Sequence, residues 1–316
     1  MKGRLLPPGG TIGVPAPAYP YQQRSDIFRG KEWWEAKGYK VKLAEGIFQR
    51  TGYTAGTPEQ RGHDITAMFA DPEVDLVQTF DGGFGSAHAI PHIEFKVIEK
   101  NPKPFIGYSD ITALHVSIAH YTGLVTFYGP LLTTMGHPKT KEFTYDRMMR
   151  ALTHAGPLGV VPRNPDDDYI RPFNSGKVTA PLVGGCLWLL GQTIGTPWQI
   201  DARGKILFFE DVLAPPWYVD GLLTQMVQAG IFDGVAGIVI GEMARCDWNA
   251  NAEHDWPGLA STEDAFDLHL APLGVPTIYG LPLGHGDYLA TIPLGVEATL
   301  DADNRTLTID EPALEA

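Results

Sequence analysis

The chain has 316 residues, 44% hydrophobic and 19% charged, the make-up of a folded globular protein and not of a disordered or fibrous one. Its 24 basic residues stand against 37 acidic ones, a formal net charge of −13, so a broad surface for nucleic acid or anionic lipid is not expected. The two cysteines, Cys186 and Cys246, form no CxxC motif and no disulfide framework, which suits a reducing compartment. Residues 1–8 hold too short an apolar run for a signal peptide, and no stretch approaches the ~20 apolar residues of a membrane span. A cytoplasmic location with no membrane partner is expected.

Residues 11–18 (TIGVPAPA) read as a first strand closed by a Pro-rich turn. Ser25 is placed to cap a helix to about residue 37, Gly38 ends it, and 39–43 alternates as a second strand. Thr57-Pro58-Glu59-Gln60 carries a cap, a proline at the first helical position and Gln at the capping-box position, so a helix is expected to about residue 70. A strand at 74–80 follows, then the glycine-rich turn Asp81-Gly82-Gly83-Phe84-Gly85-Ser86 and a helix at 91–100. Phe105 to Tyr108 reads as a buried strand that turns at Ser109 into a helix from Asp110 to about Tyr121, with Ile111, Leu114 and Ile118 at helical spacing. Residues 125–127 form one more strand. Alternating strands and helices imply parallel strands with crossover helices, an α/β architecture.

From 138 to 176 the pattern loosens into one helix (145–154) and a Pro-rich, acidic run, expected as a connecting loop or flap between a domain at 1–137 and a domain at 177–316. The second α/β unit then reads as strand 177–183, a helix opened by Gly184-Gly185, strand 205–209 ending at Glu210-Asp211, helix 215–229, strand 235–240, an irregular stretch at 245–259, helix 262–271 and strand 276–281. A hairpin of 295–300 and 306–309 closes the chain.

Ser109, Glu210 and His285 all lie at carboxyl ends of expected strands, where open α/β sheets bind ligands. Two readings fit Ser109, a helix N-cap or a nucleophile. A nucleophilic serine needs a base, and an imidazole base needs a carboxylate to fix its tautomer. His285, between two glycines, suits the base, and Glu210 suits the orienting acid. The glycine turn at 82–86 lets backbone amides approach an anion, yet it matches neither GxGxxG nor the P-loop pattern, so no nucleotide cofactor is expected. His88 and His92 have helical spacing, but Ala89 stands where HExxH needs Glu, and Cys246, Asp247, His254 and Asp255 fit no zinc spacing. No metal is expected either.

In several blocks the chain resembles the L,D-carboxypeptidase family of serine peptidases, which includes muramoyl-tetrapeptide carboxypeptidases and microcin C self-immunity peptidases. The matching blocks are RGHDITAMFADPEVD (61–75), GGFGS (82–86), NPKPFIGYSDITAL (101–114), TFYGP (126–130), LVGG (182–185), KILFFED (205–211) and GHGD (284–287). The resemblance implies an N-terminal flavodoxin-like parallel-sheet domain and a C-terminal α/β domain with mixed strands. It implies a triad of Ser109 (nucleophile), Glu210 (relay) and His285 (base), with an oxyanion hole from the backbone N–H groups of Gly83 and Asp110. It further implies no cofactor or metal, a small peptide or peptidyl-conjugate substrate rather than a nucleic acid polymer, and a homodimer.

Two departures bear on the substrate. Many cell-wall recycling members carry Arg before the double glycine where this chain has Asp81, and Tyr128-Gly129-Pro130 is closer to the immunity branch. The segment 138–176 nevertheless lacks the tryptophan that the immunity branch stacks on a nucleotide. The expectation is cleavage of an L,D-peptide bond in a murein tetrapeptide, with aminoacyl- or peptidyl-nucleotide amides as the alternative. The rival of another class is a non-catalytic module binding an anion at the 82–86 turn.

Overall fold

A computed structural model describes residues 1–247 and 261–316. The chain divides into two units: Met1–Pro157 with Thr291–Gly295 and Pro312–Ala316, and Leu158–Ala290 with Val296–Glu311.

The first unit contains strands β1 (Thr11–Val14), β2 (Lys40–Leu43), β3 (Leu76–Gln78), β4 (Phe105–Gly107) and β5 (Thr126–Tyr128), with helices α1 (Arg24–Ala36), α2 (Pro58–Ala70), α3 (Ser86–Ala89), α4 (Phe95–Lys100), α5 (Thr112–Thr122) and α6 (Glu142–Thr153). The late strand β12 (Ile292–Leu294) returns to this unit and pairs antiparallel with β5. The sheet order is β12-β5-β4-β3-β1-β2, and every pair except β12–β5 is parallel. From β2 to β5 this is the flavodoxin-like order, which reverses direction between β1 and β3. The inner strands are short and apolar because both faces are covered: Ile12, Leu76, Val77, Phe105, Ile106 and Phe127 have no exposed surface. The helices supply the cover through Ile27 and Trp34 of α1, Ile65 and Phe69 of α2, and Leu114 and Ile118 of α5.

The second unit contains β6 (Gly159–Val160), β7 (Arg171–Asn174), β8 (Lys177–Cys186), β9 (Ile206–Val212), β10 (Gly237–Ala244), β11 (Thr277–Tyr279), β13 (Glu297–Asp301) and β14 (Thr306–Ile309), with helices α7 (Leu187–Thr193), α8 (Pro216–Gln228) and α9 (Thr262–His269). Its sheet runs β6-β14-β13-β8-β9-β10-β11-β7. The four strands β8 to β11 are parallel, and the flanking pairs are antiparallel. Strand β8 bridges the two regimes, since residues 177–181 pair with β13 and 182–186 with β9. The mixed sheet and the parallel one together match the expected fold class.

Several local expectations change. The cap of α1 is Gln23, whose backbone N–H is held by Asp26, and not Ser25. The cap of α2 is Thr57 as expected, but Gln60 turns its amide to Asp64 at 2.8 Å instead of closing a capping box. The helix expected at 91–100 is shortened to α4, with Pro91 in a separate turn of 3₁₀ helix at Ile90–His92 that follows the unforeseen α3. Gly184 and Gly185 continue β8 rather than opening a helix, because a Cβ on Gly184 would stand 1.8 Å from the Phe208 carbonyl oxygen of β9. The region 138–176 gives α6 to the first unit and β6 and β7 to the second. His254 and Asp255 lie outside the described residues.

The first unit contains one buried polar chain that packing alone does not explain. Trp34 Nε1 donates to Gln78 Oε1 at 2.7 Å, and Gln78 Nε2 donates to the Pro130 carbonyl at 2.9 Å, with Trp34 and Gln78 fully buried. Replacing Trp34 by Phe keeps an aromatic ring but orphans a buried acceptor. It is expected to lower unfolding free energy by about 1–3 kcal/mol, read as a shifted urea midpoint with an unchanged slope.

Candidate functional site

Strand β4 ends at Gly107, and Tyr108 leads into a single 3₁₀ turn, Ser109–Ile111, before α5 begins at Thr112. Ser109 has φ +65°, a left-handed conformation that is rare and strained for a residue with a Cβ. The cap positions of the 3₁₀ turn and of α5 are held by Tyr108 and Ile111, so the N-cap reading of Ser109 is corrected. A sharp, strained strand-to-helix turn is the setting in which α/β hydrolases present a nucleophilic serine.

The turn is held from several sides. The Ser109 N–H donates to the Tyr128 hydroxyl at 3.1 Å, and Tyr128 is fully buried at the end of β5. His115 of α5 lies 2.9 Å from the Gly107 carbonyl through Nε2 and 2.9 Å from Thr126 Oγ1 through Nδ1. A carbonyl only accepts, so Nε2 carries the hydrogen and Nδ1 accepts from the threonine. Burial pushes the His115 imidazole down to about 4, against the pull of the Gly107 carbonyl, so it is neutral near pH 7. It acts as a structural pin on the strand end.

The glycine turn comes to the same place. A methyl built on Gly82 would stand 3.1 Å from Ser109 Cβ and 3.5 Å from its Oγ, so the turn's backbone lies directly against the serine. Gly83 has φ +98°, and a Cβ there would meet the Tyr19 ring at 2.2 Å. Both the dihedral and the space require glycine. Asp81 turns its carboxylate back on the Gly82 N–H (2.9 Å) and accepts from the Thr133 hydroxyl (3.2 Å), and burial pushes it up to about 6. Asp110, the residue after Ser109, is buried, and its carboxylate accepts the Ser86 N–H at 2.8 Å.

In the second unit, Glu210 lies inside β9, which runs two residues past it, and has no exposed surface. Its Oε2 accepts the ring Nδ1–H of His285 at 2.7 Å and the His285 backbone N–H at 3.2 Å. An ionised carboxylate only accepts, so Nδ1 carries the hydrogen and Nε2 is left as the basic nitrogen. Burial lowers the His285 pKa, but the charge and hydrogen bond of Glu210, helped by Asp211, more than offset it, so the net shift is upward from 6.5. The glycines flanking His285 are imposed by two packed carboxylates, Glu210 and Glu242. A Cβ on Gly284 (φ +118°) would fall 2.2 Å from Glu210 Oε2, and one on Gly286 would fall 1.3 Å from Glu242 Oε2.

Sequence reading therefore located Glu210 and His285, which the structure joins, and Ser109 with its glycine turn, which the structure also joins. Ser109 belongs to the first unit and the Glu210–His285 pair to the second. Reading the sequence missed Tyr128 as the partner of the Ser109 N–H, His115 as the pin, and Ser86 as the partner of Asp110. Ser86 and Tyr128 sat in plain view inside the GGFGS and TFYGP blocks, but no spacing rule connects them to residues 109 and 110. Two further acids crowd the pair. Burial and the Glu210 charge push Asp211 up to about 6, and burial and the Asp287 charge push Glu242 up to about 7. Among the described residues no group of three or more His, Cys, Asp or Glu is placed to hold a metal ion, and no helix is long and apolar enough to cross a membrane.

Comparison with known proteins finds two family models that together match most of the chain. The LD-carboxypeptidase N-terminal domain matches residues 12–129, and the LD-carboxypeptidase C-terminal domain matches residues 179–300. The Bacillus subtilis protein named "Probable murein peptide carboxypeptidase" is 35% identical over 98% of this chain and 94% of its own length. The microcin C7 self-immunity protein MccF of Escherichia coli is 29% identical over 97% of this chain and 94% of its own. Among solved structures, MccF in complex with glutamyl sulfamoyl guanosine superposes with a TM-score of 0.86 at 27% identity, covering 99% of both chains. The muramoyltetrapeptide carboxypeptidase of Oxalobacter formigenes gives 0.82 at 25% identity, covering 97% of this chain and 100% of that one.

The strain at Ser109 can be measured directly. Ser109→Gly relieves the left-handed conformation and Ser109→Ala does not, so the glycine variant is expected to be about 1 kcal/mol more stable than the alanine variant in chemical denaturation. Equal stabilities would mean that the turn is not strained.

Proposed function

The chain belongs to the LD-carboxypeptidase family, and we propose that it is a serine peptidase with Ser109 as nucleophile, His285 as base and Glu210 as the orienting carboxylate. The observation that carries this reading is the Glu210–His285 hydrogen bond of 2.7 Å to a carboxylate with no exposed surface. A buried acid locked onto Nδ1 is how a protein fixes an imidazole tautomer and stabilises the imidazolium formed during proton transfer. The strained Ser109 turn and the glycine backbone packed against it supply the other half of the argument.

In this mechanism His285 Nε2 takes the proton from Ser109 Oγ as the oxygen attacks the scissile carbonyl carbon. The tetrahedral oxyanion accepts hydrogen bonds from the N–H groups of Gly83 and Asp110. The imidazolium returns its proton to the leaving amine, and water hydrolyses the acyl-enzyme by the same route in reverse.

The substrate proposed is a murein tetrapeptide, cut at an L,D-peptide bond to release a terminal D-amino acid. The 35% identity to the murein peptide carboxypeptidase relative, against 29% to MccF, supports it. A second reading, hydrolysis of an aminoacyl-nucleotide amide, draws on the structures of MccF with glutamyl sulfamoyl guanosine and aspartyl sulfamoyl adenosine, which superpose with TM-scores of 0.86 and 0.85.

Side-by-side assay of a tetrapeptide muropeptide and an aminoacyl-nucleotide conjugate decides between the two. Release of the terminal D-amino acid is expected, and no cleavage of either compound would sink both readings. Ser109→Ala and His285→Ala are expected to lower kcat by ~10⁴-fold or more, and Glu210→Gln by ~10³- to 10⁴-fold, with folding retained. An anion-binding module would keep its ligand affinity unchanged in Ser109→Ala and show no turnover to lose.

The base must be unprotonated to act, and the His285 pKa is raised. Activity is therefore present above that pKa and lost as pH falls through it. The acid limb of kcat/KM should have its midpoint above 6.5, the ordinary histidine value. Glu210→Gln should move that midpoint downward.

A further inference from the structure

Two buried hydrogen bonds tie the glycine turn to the residue that follows Ser109. The Ser86 N–H donates to Asp110 Oδ2 at 2.8 Å, and the Ser86 hydroxyl donates to the Asp110 carbonyl at 2.6 Å. Ser86 is 0% exposed and Asp110 2%. The turn is braced again one residue earlier, where the Gly85 carbonyl accepts from Arg61 Nη2 at 3.1 Å. Arg61 is itself buried, and its Nη1 donates to the Gly56 carbonyl at 2.6 Å. Gly85 takes φ +114° to make this possible, and a Cβ there would meet Thr54 Cγ2 at 2.7 Å.

The placement of these bonds gives them a purpose beyond packing. Asp110 carries one of the two proposed oxyanion donors, and Gly83, three residues before Ser86, carries the other. The two donors come from segments separated by a strand and two helices in sequence, so nothing local fixes the distance between them. Oxyanion stabilisation depends on donors preset within a few tenths of an ångström of the position the charge will occupy. A buried hydroxyl and a buried carboxylate are also expensive ways to fill space, and apolar side chains would do that at less cost.

We propose that Ser86 and Asp110 form a clamp that sets the spacing of the two oxyanion donors, with Ser86 and the Asp110 carboxylate as positioning groups for the acylation step. The proposal rests on Ser109 being the nucleophile. Ser86 touches no reacting atom in it; it acts by holding the Asp110 carbonyl and carboxylate, and through them the peptide unit that presents the Asp110 N–H. Arg61 holds the opposite side of the turn through Gly85. Burial pushes the Asp110 carboxyl upward from its usual range, and the Ser86 and Gly85 hydrogen bonds act to keep it ionised as an acceptor.

The test uses an alkyl fluorophosphonate, which phosphonylates an activated serine and places its phosphoryl oxygen where the oxyanion would form. The parent protein is expected to be labelled and Ser109→Ala not. Ser86→Ala removes the hydroxyl bond alone, and it is expected to lower the maximal labelling rate (kinact) by ~10- to 100-fold while the half-saturating concentration (KI) stays within about twofold. Ser86→Thr, which restores a hydroxyl, should recover most of that loss. Asp110→Asn keeps the backbone N–H and the side-chain shape but not the anionic acceptor, and it should lower kinact in the same way, which covers the case in which Ser86→Ala fails to fold. A parent that is not labelled at all overturns the nucleophile reading and the clamp's catalytic role with it. A labelled parent whose Ser86→Ala variant reacts at the parent rate overturns the clamp alone. A loss in Ser86→Ala that appears only as a lower melting temperature, or that Ser86→Thr fails to rescue, assigns Ser86 a merely structural role and likewise overturns it.

Discussion

An unpaired carboxylate removed from water loses several kcal/mol of hydration, and only a partner with good geometry offsets the loss. Glu210 has no exposed surface in β9, where its neighbours Phe208 and Phe209 are equally buried, and His285 meets its Oε2 twice over, through ring and backbone nitrogen. Much of the second unit follows from accommodating that pair. Gly284 has no room for a side chain beside the carboxylate, and Gly241 of β10 has none beside the Leu283 carbonyl that leads into the histidine turn. The long parallel strands β8, β9 and β10 form the rigid platform from which the acid projects. Asp211 adds negative potential around the same imidazole, and the raised pKa values of Asp211 and Glu242 reflect the same scarcity of water.

The first unit is arranged around a different difficulty, the left-handed backbone of Ser109. Strain of this kind, of order 1–3 kcal/mol, persists only where the surroundings over-determine it. Here the determinants are polar and specific. Tyr128 holds the serine N–H, His115 holds the carbonyl of Gly107 two residues before it, and Ser86 holds the carbonyl of Asp110 after it. Each of these partners is buried, so each bond is made in a medium where leaving it unmade would be expensive. The flavodoxin-like strand order then puts the turns after β3 and β4 at neighbouring carboxyl ends, the place where sheets of this type bind their ligands.

Local errors in reading the sequence have a common cause. Ser25 and Ser109 are both good cap residues by propensity, yet Gln23 holds the cap position of α1, and Tyr108 and Ile111 hold those of the 3₁₀ turn and α5. Propensity ranks residues in isolated helices, and tertiary contacts overrule differences of this size. Gly184 and Gly185 read as a helix opening because glycine breaks patterns, whereas both lie in β8 and the close approach of β9 is what demands Gly184. Strand β12, only three residues long and antiparallel to its neighbour, carries no periodic signal of its own.

What the sequence determined by itself was the alternation of strand and helix, hence the α/β class, together with the residue types able to do acyl-transfer chemistry and the turns that carry them. These are local properties, encoded in periodicity, glycine placement and short blocks such as GYSDITAL and ILFFED. Tertiary structure alone decided which of those residues meet: Glu210 with His285 across 75 positions, Ser86 with Asp110 across 24, and Ser109 with Tyr128 across 19. It also decided that Ser109 sits at φ +65° and not in a cap. A hydrogen bond between distant segments depends on sheet order and register, and these follow from the summed packing of the whole unit rather than from any stretch of its sequence.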